Sequence, residues 1–467
     1  MTRSARYLTQ VVLALISVLA VAYAARHVAG LTNPALEFDV GPNTGSYLEG
    51  FTESEERVPV TFRWTRERAS VALPLAGTGP DAVLQLRFAR FVDGNATVRL
   101  FVDGAPEGVF SARSGRFRTL ELPLKLRGEP PTITFLVEDP DPERLGIAID
   151  WLRIKNTRWL VPATTLRPTL LLIGVFLLTL ALGFSLPRAV GLGAIVALLQ
   201  AGWFAHDPFA MVHTHEQLAA TGLASAAIVA LVSIATRRAR VLPLLFLLGY
   251  FLKGAALFHP SYWYPDVRLH RRYVEILDTA QGSIVERGIE AQKGTGTAYP
   301  RRLGGRNYAL PYSPLFYVPF TLLDRDARGI ESSMKHVGLL LAAAEVLLVY
   351  ALASYLFRAR VALVASVLAL FLPPLASRLL YAQWPTLTGH LLDVMAIGFA
   401  ASLVKHPNEK PPLFRYGAGV LASFLAYISS LFNMTLFTGC LALLEPRRAL
   451  RLIFVVGGAG LLTISLL

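Results

Sequence analysis

The stretch "VLPLLFLLGYFLKGAALFHPSYWYPDVRLHRRY", Val241–Tyr273, decides how the chain is read. Residues 241–258 form an apolar run whose only charge is Lys253. Tyr262, Trp263 and Tyr264 follow, then Asp266, His270 and three arginines. A run of this length and polarity is a candidate membrane span, which needs about 20 apolar residues. Tyrosine and tryptophan gather where a span meets water. The stretch therefore reads as a helix leaving a bilayer, with a carboxylate placed at once beside it.

Composition agrees. The chain has 467 residues, of which 54% are hydrophobic and 16% charged, and its mean hydropathy is +0.48. Soluble domains carry roughly 25% charged residues. The net charge of +13 is read by position rather than as a nucleic-acid signal, because Lys and Arg collect in cytoplasmic loops. The single cysteine, Cys440, excludes a disulfide within the chain, so an exported domain must hold itself together by its own core.

Working outward, residues 1–34 hold an apolar segment, Tyr7–Ala25, behind Arg3 and Arg6. It is a retained anchor or a signal peptide, with "AYA" at Ala22–Ala24 as a small-residue cleavage site. Residues 35–157 are polar and alternating: "VTFRW", "ASVALPL", "VLQLRFARF", "TVRLFVDG", "FRTLELPL", "TITFLVED" and "GIAIDWLRI". Turn signals fall every ten residues or so, which predicts an antiparallel β-sandwich of jelly-roll type.

Residues 158–258 and 333–467 carry further apolar segments, at 166–186, 189–205, 217–236, 241–258, 333–357, 361–380, 386–404, 413–429, 431–444 and 450–467. With the first segment the expectation is about eleven spans, a mainly α, polytopic transmembrane bundle. Basic residues fall in each turn that is cytoplasmic if the N-terminus is inside: Arg188, "RRAR" (237–240), "RAR" (358–360), "KHPNEKPPLFR" (405–415) and "PRRALR" (446–451). The β-sandwich, "HDPFAMVHTHE" (206–216), residues 259–332 and "RLLYAQWP" (378–385) are then outer segments. The chain stops inside an apolar run, "GGAGLLTISLL" (457–467), which is either a natural end or the mark of a truncated C-terminus.

The 259–332 segment is long for a connection. Leu269, Tyr273, Ile276, Leu277, Ala280 and Ile284 recur at helical spacing, which predicts an amphipathic helix on the membrane surface. Arg271 and Arg272 are placed to reach Glu275. Asp266, just after Pro265, is a helix cap or a catalytic carboxylate. Asp266 and His270 at i, i+4, with His259 nearby, are also candidate ligands for a divalent metal. Downstream, "KGTGTAYPRRLGGRNYALPYSPLFYVPF" is rich in glycine and basic. Arg301, Arg302, Arg306 and Tyr312 suit an anionic ligand at headgroup level; attraction to ordinary anionic lipid is the plainer alternative. Within the apolar segments, Lys253 snorkels or meets a phosphate, while His390 and Asp393 share a helix face and serve a site or a helix–helix hydrogen bond.

The "YWYPD" exit, the helix it opens and the "YSPLFYVPF" re-entry resemble the GT-C superfamily of integral-membrane glycosyltransferases, and among them bacterial relatives of the protein mannosyltransferases. The resemblance covers about 241–404. It implies a sugar donor on a polyprenyl-phosphate carrier and an acceptor that is a glycan, lipid or protein. It places the catalytic acid of the family on Asp266, with His270 beside it, and the chain in a bacterial inner membrane. The family has this segment after its first span, whereas here four spans and a β-domain precede it, and Val267 stands where many members have a second acid. Two rivals stand beside it: a transporter of a lipid-linked glycan, which wants charges along several spans, and a non-catalytic assembly or glycan-binding protein.

Overall fold

The computed structural model describes residues 3–32, 35–52, 55–57, 60–138, 140, 145–160, 167–235, 240–262, 264–295, 301–303, 306–308, 314–322, 327–406, 410–427, 429–444 and 449–466. These form two compact units. The first is Met1–Leu244 with Gly254–Trp263, the second Leu245–Lys253 with Tyr264–Leu467. The boundary falls inside the exit stretch, between Trp263 and Tyr264.

The first unit opens with helix α1 (Arg3–Thr32). Eleven strands follow: β1 (Ala35–Asp39), β2 (Leu48–Phe51), β3 (Glu55–Arg57), β4 (Val60–Ala72), β5 (Ala76–Ala89), β6 (Asn95–Val102), β7 (Ala105–Arg113), β8 (Arg118–Arg127), β9 (Thr132–Glu138), β10 (Ala148–Lys155) and β11 (Arg158–Leu160). All eleven are hydrogen-bonded into one antiparallel sheet. One half runs β1-β10-β5-β8 with β11 beside β5, the other β2-β4-β9-β6-β7 with β3 on β4. Strand β4 joins the halves by pairing with β10 at Ala148↔Trp64 and Ile149↔Arg63. The alternation read in the sequence is the burial pattern: along β6 every second residue is buried. Two predicted strands, "VTFRW" and "ASVALPL", fall largely in one strand of 13 residues, β4, because the three exposed charged residues between them, Arg66 to Arg68, include no turn residue. Strand β7 was not expected; its apolar positions are sparse.

Helices α2 (Arg167–Ala181), α3 (Leu186–His206) and α4 (Pro208–Ala235) complete the unit. Only Asp207 separates α3 from α4, so the expected outer loop 206–216 is helical. Pro208 opens α4, as a proline fits the first turn, where its missing N–H costs nothing. Asp207 caps it, accepting from the Ala210 amide at 2.8 Å. Phe209, Met211 and Val212 then enter the same core as Phe38, Leu84 and Phe135. The sandwich therefore does not rest on its own core alone, as the sequence suggested. Its core continues into α1, α3 and α4.

The second unit contains the middle of α5 (Leu242–Leu257), then α6 (Pro265–Thr279), α7 (Ile284–Thr295), a hairpin of β12 (Arg301–Leu303) and β13 (Arg306–Tyr308), a 3₁₀ turn at Pro314–Phe316 and α8 (Val318–Thr321). The apolar helices follow: α9 (Ala327–Leu356), α10 (Ala359–Leu370), α11 (Pro373–Leu380), α12 (Trp384–Lys405), α13 (Lys410–Ala426), α14 (Ser429–Leu444) and α15 (Ala449–Leu466). The expected span 361–380 is broken between α10 and α11, where Pro373 and Pro374 cannot continue a helix. Helices α9 and α12 approach closely at Gly338, where a Cβ would stand 2.5 Å from the Trp384 ring.

Among the described residues five helical stretches are long and apolar enough to cross a membrane: Ser4–Leu31, Leu186–His206, Pro208–Ala235, Gly329–Leu356 and Trp384–Lys405. Five shorter apolar stretches, of 10–17 residues, accompany them. The chain is a helical membrane protein with a β-domain near its N-terminus.

Candidate functional site

The candidate residues gather around α6 in the second unit. Pro265 occupies the first turn of α6, and the N-cap is Tyr264, which makes no side-chain cap bond. Asp266 is therefore not the cap. It lies inside the first turn, where a carboxylate meets the positive end of the helix dipole. Among the described residues its side chain has no hydrogen-bond or ion-pair partner. It is half-buried, and that burial pushes its carboxyl above the ordinary carboxylate range. Tyr264 beside it stacks on Tyr381 at 5.2 Å.

Helix α6 is amphipathic, but its buried face is Val267, His270, Tyr273, Val274 and Leu277. It packs into protein rather than lying on lipid. His270 Nε2 stands 2.6 Å from the Ala382 carbonyl, so that nitrogen carries the proton. Nδ1, 2.7 Å from the Tyr317 hydroxyl, accepts from it. Burial pushes the imidazole down to about 4, with the Ala382 bond pulling partly back. The expected catalytic or metal-binding His270 is thus a neutral ring with both nitrogens engaged. Tyr317 also stacks on Tyr273 at 4.2 Å, and Tyr273 donates to the Gly288 carbonyl at 3.1 Å.

The helix ends at Thr279 rather than running through Ile284. Gly282, at φ +104°, turns the chain. Ser283 and Glu286 then cap α7 reciprocally: the Ser283 amide donates to Glu286 Oε2 at 2.8 Å, and the Glu286 amide to Ser283 Oγ at 3.3 Å. Arg271 reaches Glu275, as expected, at 3.3 Å, and also Glu331 at 3.2 Å.

The stretch expected to be a flexible basic loop contains the β12–β13 hairpin, with Arg301↔Tyr308, Arg302↔Asn307 and Leu303↔Arg306 in register. Only the backbone of Arg301, Arg302 and Arg306 is described, and Tyr312 lies outside the described residues. Lys253 does not snorkel. It is buried and its ammonium donates to the Ala342 carbonyl at 2.9 Å. Asp393 is a helix–helix anchor: it accepts from Ser423 Oγ on α13 and from Asn433 Nδ2, at 3.3 Å, on α14. His390, on the same helix, is half-buried and within electrostatic range of Arg378 and Asp393.

Three groups on α9 were missed by sequence reasoning. Lys335 and Glu345 are buried, and His336 Nδ1 stands 3.0 Å from the Tyr250 hydroxyl. Glu345 lies within electrostatic range of Lys253 and Arg378. The signal was present: Glu345 is a lone acid in "GLLLAAAEVLLVY", the same pattern that singled out Lys253. No group of three or more His, Cys, Asp or Glu that could hold a metal ion occurs among the described residues.

No protein-family model matches the chain, and no curated protein matches it. Solved structures similar to part of it include a family 35 carbohydrate binding module from Clostridium thermocellum, at 12% identity and a TM-score of 0.21, covering 26% of this chain and 96% of that one. A CBM36-1 domain of a multidomain xylanase from the hindgut metagenome of Trinervitermes trinervoides is 17% identical, with a TM-score of 0.21 and coverage of 26% and 95%. The C-terminal CBM6 of LamC, a laminarinase from Zobellia galactanivorans, is 14% identical, with a TM-score of 0.20 and coverage of 26% and 98%.

Proposed function

We propose that the chain is a membrane glycosyltransferase of GT-C type, moving a sugar from a polyprenyl-phosphate carrier to an acceptor outside the cytoplasm of a bacterial cell. The observation that carries this reading is Asp266: a half-buried carboxylate at the start of α6, raised above its usual range, with no hydrogen-bond or ion-pair partner among the described residues. A carboxylate held this way is suited to take a proton from an acceptor hydroxyl or to orient it. A purely structural acid in a helix is normally paired or capping. Arg301, Arg302, Arg306 and Tyr312 are proposed to hold the carrier phosphate, in a segment rich in donors. His270 positions α6 and takes no part in the chemistry.

The five shorter apolar helices α2, α5, α10, α14 and α15, together with α13, join the five long ones in the proposed arrangement of about eleven spans. The basic turns support an N-terminus in the cytoplasm and a β-sandwich outside it. The deciding experiment is transfer from a synthetic polyprenyl-phosphate sugar by the full chain in lipid nanodiscs. Asp266→Asn is expected to fold and to lose transfer.

A second reading, transport of a lipid-linked glycan, is favoured by one observation. Lys253, Glu345, Arg378 and His390 form a row of ionisable groups in electrostatic range of one another within the second unit. Such groups inside apolar helices mark pathways as well as sites. Movement of a labelled carrier across liposomes, without transfer, would select it.

A further inference from the structure

In the first unit an open cleft of about 440 Å³ lies where the edge of the sandwich meets the α3–α4 junction and the His259–Ser261 turn. The turn is held in place from the sandwich side: Asn43 Nδ2 donates to the carbonyls of His259 at 2.7 Å and Tyr262 at 3.1 Å. The cleft mixes acids and bases, and Asp39 is the acid in it with no basic side chain against it among the described residues. Arg153 is taken by Glu37, His259 Nε2 stands 3.6 Å from Asp207, and Lys155 is 3.9 Å from Glu121. Deeper, Arg87 is 2.6 Å from Asp150. Asp39 has no cation among the described residues. Its Oδ1 is sealed from solvent without a partner of close geometry, while the Ser261 hydroxyl and the Gly41 amide hydrogen-bond to the carboxylate and bring it no charge. The residue itself stays partly open to the cleft.

We propose that this cleft binds a ligand through a primary ammonium group, with Asp39 as its counter-ion. An ammonium brings the positive charge that the carboxylate lacks, and three N–H donors; the Ser261 hydroxyl oxygen and the Asp207 carboxylate on the same cleft are further acceptors. Burial of the uncompensated charge agrees, since it pushes the Asp39 carboxyl up to about 7. Two sources present this chemistry. One is an aminophospholipid headgroup, because α3 and α4 are both long enough to span a membrane and their junction lines the cleft. The other is a soluble amine such as an amino sugar.

The groups facing Asp39 are Glu37 on its own strand, Asp150, Arg153 and Lys155 on β10, His206 and Asp207 at the helix junction, and His259 on the turn. Ammonium binding needs the carboxylate form of Asp39. Affinity is therefore full near pH 8 and falls about tenfold by pH 6, as a group with a pKa of about 7 takes up its proton. His259 and Asp207 remain a pair of their own, so His259→Gln keeps the profile.

The test is calorimetric titration of the full chain in detergent with glycerophosphoethanolamine, glycerophosphocholine and glucosamine, together with native mass spectrometry from nanodiscs of phosphatidylethanolamine or phosphatidylcholine. A primary amine is expected to bind at least tenfold more tightly than the quaternary choline probe, which has no N–H. Asp39→Asn, close in shape, is expected to lose at least tenfold in affinity and the pH profile with it, while melting no lower than the parent. Retention of phosphatidylethanolamine over phosphatidylcholine assigns the lipid source; binding of glucosamine alone assigns the soluble one. Equal binding of amine and choline probes, no amine binding at all, or an unchanged affinity in Asp39→Asn overturns the proposal. Transfer activity is read separately at Asp266, so either idea can fail alone.

Discussion

The Tyr317 hydroxyl donates to His270 Nδ1 across 2.7 Å, while the opposite ring nitrogen donates to the Ala382 carbonyl. One neutral imidazole thus ties α6 to the 314–317 turn and to the approach of α12. Ala382 has φ +52°, a left-handed conformation that costs a residue with a Cβ of order 1 kcal/mol or more. His270 holds its carbonyl in that position. His270→Ala removes the hydrogen bonds to the Tyr317 hydroxyl and to the Ala382 carbonyl, each contributing about 0.5–1.5 kcal/mol. It is expected to lower the unfolding midpoint of the second unit clearly. Tyr317→Phe, which leaves only Nδ1 without its donor, is expected to cost less. Chemical unfolding in detergent separates them. A His270→Ala protein of parental stability but no activity would return His270 to the chemistry.

Asp266→Asn tests the carboxylate with little change of shape. Transfer is expected to fall by about 10²–10⁴-fold, the usual contribution of a positioned base. Stability should change by less than about 0.5 kcal/mol, since no cap bond is lost. The loss belongs in turnover rather than in donor affinity, because the carboxylate is assigned to the acceptor. The pH profile follows from the raised pKa. A base works deprotonated, so the acid limb should lie above the range of an ordinary aspartate.

Lys253 and Glu345 are buried on facing helices. Lys253→Met removes the hydrogen bond to the Ala342 carbonyl and one of the two cations within electrostatic range of Glu345, so it is expected to lower stability. Lys253→Met with Glu345→Gln is expected to recover much of that loss. A double-mutant cycle on expression and melting temperature gives the coupling. Additive effects would show that the two groups do not feel each other.

The β-domain was legible because strands such as β6 alternate and because β6 turns into β7 at Asp103-Gly104. The helices were legible where apolar runs exceed a span length. The start of α4 was not, because His213, Thr214, His215 and Glu216 look like a polar loop. Their partners lie elsewhere in the chain: Glu216 accepts from Tyr47 at 2.5 Å, 169 residues away in sequence, and His215 meets Gln200 of α3. The α6–α7 break hid because Ile284 continues the helical period, although Gly282 and the Ser283–Glu286 pairing mark it. Asp266 was visible as a lone acid after Pro265. The role of His270 was not, since its partners are 47 and 112 residues distant. Polar residues whose partners come from far along the chain carry no local signal.

The last prediction concerns the first unit and pH. Burial, above all, pushes Asp39 up to about 7 and Asp150 up to about 6, the latter against the opposing pull of Arg87. Both start near 3.8 in an unfolded chain. From about pH 4 to 6 the folded unit holds protons on both that the unfolded chain has released; from 6 to 7 it holds the one on Asp39. Where the native state binds more protons, stability falls as pH rises, by at most about 1.4 kcal/mol per pH unit for each proton held. The unit should therefore melt at a higher temperature at pH 5 than at pH 8. Tryptophan fluorescence reads it, because Trp64, Trp151, Trp159, Trp203 and Trp263 lie in this unit and only Trp384 in the other. In Asp39→Asn the fall should be shallower and end near pH 6, leaving the share of Asp150. A midpoint that rises between pH 5 and pH 7 would mean that both carboxylates are charged in the folded state and find cations there.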